Sequence, residues 1–348
     1  MEGNTWTEAY KIVPAEPPRE NYPDYQVGYT YTHHEEVELC ESGFHASPTF
    51  AHCKQYVSPT EDCRYLKVRV HSPIWDDEAA KCVSSKLEVL SEFSYGEAQR
   101  LVQHAIVNNN EYYTKGFGFH REDKDADGNV LPAVIRANGT KQWCEAGKLH
   151  REDKGADGNV LPAIIQADGT KKWCEAGKLH RVDKDADGNV LPAVVSADGT
   201  KEWCEAGKLH RVDKDADDNV LPAVVSADGT KEWYKDGKQH REDKDADGNI
   251  LPAVIYADGT KEWRKDGKRH REDRDADGNI LPAVILANGT KEWWKDGKQH
   301  REDKGADGYY LPAVIRANRT KEWWKDDVQQ SPPPNKATAV SWTKEQSQ

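Results

Sequence analysis

Aspartates recur at alternate positions in short polar loops. Asp183, Asp185 and Asp187 precede Gly188, which is the one-three-five spacing and the position-six glycine of an EF-hand calcium loop. Such a loop needs a bidentate glutamate at position twelve, where Val194 stands. Two interpretations stay open: a calcium site completed by a neighbouring loop, or a solvated turn whose carboxylates accept hydrogen bonds from backbone amides. The equivalent candidate ligands are Asp123, Asp125, Asp127, Asp243, Asp245, Asp247, Asp273, Asp275 and Asp277.

A second recurring group, His-Arg-Glu-Asp, places an imidazole beside carboxylates. These residue types perform general acid–base catalysis, but near-identical copies at a fixed spacing favour a structural role. We expect the histidines to pack on a ladder of tryptophans, with the arginines and acids pairing between neighbouring units. The histidines of this ladder are His150, His180, His210, His240, His270 and His300.

Both groups belong to one repeat of thirty residues, which occurs seven times without insertion or deletion. Self-similarity at a fixed period indicates a stack of equivalent units, in which each unit buries its apolar face against its neighbours. The same step places the ladder tryptophans at Trp143, Trp173, Trp203, Trp233, Trp263, Trp293 and Trp323. This regular placement accounts for most of the twelve tryptophans in a chain with only one methionine and five phenylalanines.

The repeat predicts short antiparallel strands. In the copy that begins at His240, residues 251–256 form an apolar run and residues 260–263 a return strand. Asp258-Gly259 between them predicts a two-residue type I′ turn, because both central positions of that turn need a positive φ. Asp266-Gly267 marks a second turn, after which residues 268–271 predict a third short strand. The array is therefore expected to be a series of β-hairpins.

The repeat resembles the variant MORN-type repeat, W-x-x-x-G-K-x-H-R-x-D-G-P-A-V, over roughly residues 116–326. The matching residues in one copy are Trp233, Gly237, Lys238, His240, Arg241, Asp243, Pro252, Ala253 and Val254. The resemblance implies β-hairpin arrays of large DNA viruses, phages and some bacteria, which serve as scaffolds or in interactions and have no catalytic residue set. Residues 244–251 intervene where the family has little more than a glycine, so the hairpin geometry of the family is not carried over.

The position after each ladder tryptophan varies between copies. Cys144, Cys174 and Cys204 occupy it first, and we expect them to be free thiols at the repeat spacing. A position that tolerates such variety is expected to be half exposed. We predict that its later occupants contact a protein partner: Tyr234, Arg264, Trp294 and Trp324.

The N-terminal part lacks the thirty-residue repeat, and its pattern predicts a small α+β head domain over residues 1–95. Residues 64–70 and 86–90 read as strands, and residues 48–56 as a short helix. A connector, residues 96–115, begins helix-like over residues 96–107. The array spans residues 116–327, and residues 328–348 predict a disordered, proline-containing tail that could dock on a partner.

Within the head, the segment Leu39-Cys40-Glu41-Ser42-Gly43-Phe44-His45-Ala46 resembles a phage- and virus-associated domain of unknown function, which implies no known activity. The segment from Gly43 to Ser47 is also similar to part of the ADP-ribosyltransferase fold. That similarity implies an NAD-using domain with His45 as the candidate catalytic residue and Glu88 or Glu92 as the acid.

The composition narrows the function classes. A net charge of -12 argues against a nucleic-acid partner. The absence of a long apolar run and of a secretory leader predicts a cytoplasmic protein, in a host cell or a virion.

The sequence thus predicts a mainly β protein, a small α+β domain followed by the hairpin array. The expected function is a non-enzymatic interaction or structural scaffold of viral or phage origin that binds a protein or self-assembles. Two alternatives are an ADP-ribosyltransferase-like head targeted by the repeats, and a virion structural component. Calcium is the one candidate cofactor of the array.

Overall fold

A computed structural model describes residues 5–14, 23–34, 44–76, 81–306 and 308–333. These residues are mainly β, with an N-terminal domain followed by antiparallel sheet built from repeated hairpins, which confirms the predicted fold class. The chain divides into two compact units, residues 1–183 with 193–197, and residues 184–192 with 198–348. Within the described ranges, no helix combines the length and the apolar content that crossing a lipid bilayer requires.

Two antiparallel sheets form the head in the first unit. Strands β1, β4, β7 and β2 pair in that order in one sheet, and β3, β6 and β5 in the other. Strand β4 alternates polar and apolar residues and buries Leu66, Val68 and Val70 completely, as a strand with one covered face should. The strand bounds are β1 (Trp6–Val13), β2 (Thr30–Thr32), β3 (Phe44–Ala46), β4 (Arg64–His71), β5 (Ile74–Trp75), β6 (Cys82–Ser84) and β7 (Lys86–Phe93).

The helix expected over residues 48–56 is a single turn, α1 (Phe50–Cys53). Thr49 caps it and accepts a hydrogen bond from the His52 amide. The His52 ring is buried edge-on against the rings of Tyr112 and Phe119, at centroid distances of 4.5 and 5.1 Å. This burial lowers the pKa of His52 from 6.5 to about 4, so the imidazole is neutral at pH 7.

The connector differs from the helix expected over residues 96–107. The helix α2 (Tyr95–Arg100) ends early, and the chain continues as β8 (Val102–Val107), which pairs with β9 (Asn110–Lys115). Along β8 the side chains alternate between exposed and more buried positions, the two-residue period of a strand. Asn108 and Asn109, both with positive φ, form the tight turn that reverses the chain.

In the first unit, β9 also pairs with the array strand Val134–Ile135, Tyr112 lying opposite Val134. Each copy then contributes two short strands that extend the sheet and two that form a separate hairpin. The sheet strands are Val134–Ile135, Lys141–Gln142, Ile164–Ile165, Lys171–Lys172 and Val194–Val195. The hairpin strands are Cys144–Glu145, Lys148–Leu149, Cys174–Glu175 and Lys178–Leu179; β10 (Gly118–Phe119) pairs with β9.

The second unit repeats the same arrangement in the same register; for example, Val254 lies opposite Glu262, and Glu262 opposite Val284. Its sheet strands are Lys201–Glu202, Val224–Val225, Lys231–Glu232, Val254–Ile255, Lys261–Glu262, Val284–Ile285, Lys291–Glu292, Val314–Ile315 and Lys321–Lys325, which pairs with Val328–Gln330. Its hairpin strands are Cys204–Glu205, Lys208–Leu209, Tyr234–Lys235, Lys238–Gln239, Arg264–Lys265, Lys268–Arg269, Trp294–Lys295 and Lys298–Gln299.

The two turns of a copy are of different kinds. At the first, Tyr256 donates its amide to the Thr260 carbonyl, and only Gly259 has a positive φ, of 89°. This is a three-residue loop with a glycine bulge, not the expected two-residue type I′ turn. The second turn is type I′, since Asp266 and Gly267 have φ values of 51° and 83°.

Candidate functional site

The ladder tryptophans are held from two sides. Trp233 donates its indole N–H to the Val220 carbonyl at 2.7 Å, and the Cζ atom of Arg241 lies 4.0 Å from its ring centroid. A guanidinium over an indole face is a favourable cation–π contact. The hydrogen bond therefore fixes the plane of the ring, and the arginine of the following copy covers it.

The same arginine is tied to an aspartate. Arg241 Nε donates to Asp243 Oδ2 at 2.8 Å, and Oδ2 also accepts the Val220 amide at 3.2 Å. Trp233, Val220, Arg241 and Asp243 thus form a closed set of contacts, which we call the Arg–Trp–Asp circuit. The two charged side chains are 7% and 14% exposed, respectively, and burial lowers the pKa of Arg241 below its usual value. The circuit is a buried joint between consecutive copies.

Within each unit the circuit recurs with nearly constant geometry. The six ladder tryptophans that have such an arginine are 5–8% exposed. The other stacked pairs, all with Cζ 3.9–4.0 Å from the ring centroid, are Trp143 with Arg151, Trp173 with Arg181, Trp203 with Arg211, Trp263 with Arg271, and Trp293 with Arg301. The structure thus places the arginine on the tryptophan, where the sequence suggested the histidine.

The histidines bind the hairpins instead. His240 Nδ1 accepts the Asp266 amide at 3.1 Å, and its Nε2 lies 3.0 Å from Glu242 Oε1. Because a backbone N–H can only donate, Nδ1 is the acceptor of the bond from Asp266. His150, His210, His270 and His300 accept amides in the same way; His180 Nε2 lies 3.4 Å from Glu175. The histidines thereby position the second turn of the same copy.

The three aspartates of a loop have separate partners. Asp243 belongs to the circuit, whereas Asp245 Oδ1 accepts the amides of Asp247 and Asn249 at 3.1 and 2.9 Å. Asp247 is exposed. In the other loops Asp123, Asp183 and Asp273 pair with arginine, Asp125, Asp185 and Asp275 cap amides, and Asp127, Asp187 and Asp277 are exposed. In the part of the chain that the structure describes, no three His, Cys, Asp or Glu side chains are placed to hold a metal ion. The described geometry is that of amide-capping turns.

The residues after the ladder tryptophans in the last four copies, Tyr234, Arg264, Trp294 and Trp324, are half-buried, and we call them the variable row. Each bonds the glutamate two positions earlier: the Tyr234 hydroxyl donates to Glu232 at 2.9 Å, and the Trp294 indole to Glu292 at 2.9 Å. The equivalent pairs are Arg264 with Glu262 and Trp324 with Glu322.

Charged side chains form close ion pairs around the variable row. Glu262 is only 2% exposed and receives guanidinium groups of Arg264 and Arg269 at 2.6 and 2.7 Å. Arg269 also lies over the Trp294 ring, 5.0 Å from its centroid. Burial and the Glu232 hydrogen bond raise the pKa of Tyr234 to about 12, so its hydroxyl stays protonated. The bonds to the glutamates therefore hold these side chains in defined orientations.

In the earlier copies the same position carries thiols. Cys174 and Cys204 are buried and Cys144 is half-buried. All described cysteines are free, and burial raises the pKa of Cys144 to about 12. The first copies thus offer a smaller and less polar surface than the variable row.

Sequence reasoning missed the residue that begins the ladder. Tyr113 on β9 takes the place of a ladder tryptophan: the Cζ atom of Arg121 lies 3.6 Å from its ring centroid, and its amide donates to the Ala133 carbonyl at 2.7 Å. Tyr113 stands thirty residues before Trp143, so the repeat spacing held the signal. The connector thereby caps the first copy.

The head residues named for the transferase alternative are engaged in local structure. His45 lies half-buried on β3, and its carbonyl accepts from Lys11 Nζ at 2.9 Å. Glu88 pairs with Arg69 at 2.6 Å, and Glu92 with Arg64 at 2.9 Å. Residues 39–43 of the predicted signature lie outside the described residues.

Comparison with known proteins adds one finding. Residues 7–101 match a family described as a domain of unknown function (DUF7666). The match covers most of the head, from Thr7 onward, and α2, and its description states neither an activity nor a source. No curated protein matches the chain.

Proposed function

We propose that this protein is a non-enzymatic protein-interaction scaffold, in which the repeat array presents the variable row to a protein partner. The observation that carries the proposal is that a constant joint lies beside a position that varies between copies. The Arg–Trp–Asp circuit keeps its distances from copy to copy. The residue directly after each ladder tryptophan, in contrast, changes between tyrosine, arginine and tryptophan in the last four copies. Repeat proteins bind partners with variable residues on a constant framework.

The chemistry of the row supports the proposal. Tyrosine, tryptophan and arginine are the residue types that contribute most to binding free energy at protein interfaces. Their hydrogen bonds to Glu232, Glu262, Glu292 and Glu322 fix their orientation, which reduces the side-chain entropy lost on binding.

The finer parts of the proposal rest on the sequence. They are the variant MORN-type identity of the repeats, a viral or phage origin, and a cytoplasmic location. The free thiols of the described cysteines agree with a reducing compartment.

A capture experiment with the full chain tests the proposal. Tagged wild-type protein is compared with Trp294→Ser and Trp324→Ser, and with the exposed control variants Lys291→Ser and Asp277→Ser, in lysate of the source cells. We expect one protein to be retained by the wild type and the controls and to be recovered about tenfold less with the row variants. Equal recovery with all variants, or no retained protein, contradicts the proposal. NAD hydrolysis by the full chain that His45→Ala abolishes would instead support the transferase alternative.

A further inference from the structure

The last copy leaves its ladder tryptophan without the contact that covers the others. Trp323 is half-buried, whereas the six tryptophans before it are 5–8% exposed. Gln330 and Ser331 stand where the other copies have the histidine and the arginine. Among the described residues, no cationic group lies over the Trp323 ring.

The amide that completes a circuit is also open in this copy. In the preceding copies of the second unit, the amides of Ile250 and Ile280 donate to Asp273 and Asp303 at 3.0 and 2.8 Å. Tyr310 holds the equivalent position, and no acceptor for its amide occurs in the described ranges. Tyr310 as a whole is 53% exposed.

The other half of this circuit is already formed. Trp323 donates its indole N–H to the Tyr310 carbonyl at 2.9 Å, as Trp293 does to Ile280 at 2.7 Å. The ring and the amide are therefore held in the orientation that receives an arginine and an aspartate elsewhere in the array. We call this surface, Trp323 with Tyr310, the open end.

We propose that the open end binds an extended segment of another protein that carries an arginine and, two residues later, an aspartate. The guanidinium would stack on Trp323 as Arg301 stacks on Trp293, with Cζ 3.9 Å from the ring centroid. The carboxylate would accept the Tyr310 amide and pair with the guanidinium, as Asp303 does with Ile280 and Arg301. The segment reproduces the chemistry of a following copy.

Neither the C-terminal residues of this chain nor the first copy of a second molecule supplies such a segment. Residues 334–348 contain no arginine. The first copy of a second molecule has Arg121 and Asp123, but Arg121 already stacks on Tyr113 at 3.6 Å. The proposal deepens the proposed function, on which it rests for binding to another protein, and it names a surface separate from the variable row.

Fluorescence anisotropy of a labelled peptide tests the proposal. The probe is a synthetic peptide of residues 239–253, titrated with the full chain. We expect saturable binding, weakened about tenfold or more when the peptide carries Arg241→Gln and Asp243→Asn, and about as much by Trp323→Ala in the protein. Trp294→Ala removes a side chain of the variable row, and we expect it to leave the affinity for the peptide unchanged. The result for the open end is therefore distinguishable from a result that contradicts the proposed role of the variable row.

A second variant keeps the proposal testable if Trp323→Ala unfolds the last copy. The substitutions Gln330→His, Ser331→Arg, Pro332→Glu and Pro333→Asp give the chain its own closing segment, which should raise the melting temperature and abolish peptide binding. Absence of saturable binding to the wild type, equal binding of the altered peptide, or undiminished binding to the closed variant would each overturn the proposal. Self-association of the wild type that the closed variant loses would place a second copy on the open end and would also overturn it.

Discussion

Replacing Arg241 with leucine should open the joint between the copies on either side. The substitution leaves Asp243 with only the Val220 amide and removes the cation from the Trp233 ring. Because the pair is almost fully buried, losing one partner costs about 3–5 kcal/mol. Leucine retains apolar contact with the indole, so we expect the lower part of this range, about 3 kcal/mol.

Hydrogen exchange followed by mass spectrometry measures this change locally. A cost of about 3 kcal/mol corresponds to about a hundredfold faster exchange of protected amides. The reporting amides are those of Trp233 and Val220, bonded to the Ala253 carbonyl and to Asp243. We expect the acceleration to be concentrated in residues 220–255.

Two further variants define the outcome. Lys231→Ala changes an exposed side chain in the copy that carries Trp233 and Val220 and should alter stability by less than about 0.5 kcal/mol. Arg241→Lys keeps the charge but lacks the planar fork that reaches both Asp243 and the Pro252 carbonyl, so its effect should be intermediate. If Arg241→Leu accelerates exchange no more than Lys231→Ala does, the circuit is not the joint between the copies.

Three other predictions follow from the local geometry. Ala176 has a φ of 48°, which asparagine adopts at lower cost than alanine, so Ala176→Asn should stabilise the protein by about 1 kcal/mol. Asp236 occupies the equivalent turn position with a φ of 51°, so Asp236→Ala should lower the melting temperature. The pKa of His52 falls from 6.5 to about 4 on folding; the unfolded chain therefore binds the extra proton, and the head should lose roughly 3 kcal/mol as the pH drops from 6.5 to 4. Intrinsic-rate-corrected hydrogen exchange in β4 measures this loss, and a His52→Gln variant with the same pH dependence would exclude His52 as its source. With a pKa of about 12, Cys144 should react with iodoacetamide at pH 8 far more slowly in the folded than in the denatured protein; equal rates would contradict its burial.

The hairpin array could be predicted from sequence because its signals are local and repeated. The thirty-residue step, the glycines and the short β-branched runs all recur, and each recurrence supports the others. The turn types could not be assigned, since Asp258-Gly259 and Asp266-Gly267 are the same dipeptide. Which turn takes the third residue depends on the pairing of Tyr256 with Thr260, which the dipeptide does not encode.

For a related reason, the sequence does not determine which side chain packs on the ladder tryptophans. His240 and Arg241 are adjacent, and neighbouring residues of an extended chain point to opposite sides. Choosing which of them faces Trp233 requires the register between copies, and the structure alone supplies that register. The cap at Tyr113 is hidden in the sequence because a tyrosine replaces the tryptophan and residues 96–107 have a helix-like pattern.

The Arg–Trp–Asp circuit has a consequence for how such an array changes in length. Every Arg–Trp–Asp joint uses the tryptophan of one copy and the arginine and aspartate of the next. Each of these three residues recurs every thirty residues. An in-frame duplication or loss of one unit therefore creates or removes one complete joint and leaves every other joint intact. The gene can gain or lose copies by unequal recombination while the head, the Tyr113 cap and the last copy remain unchanged.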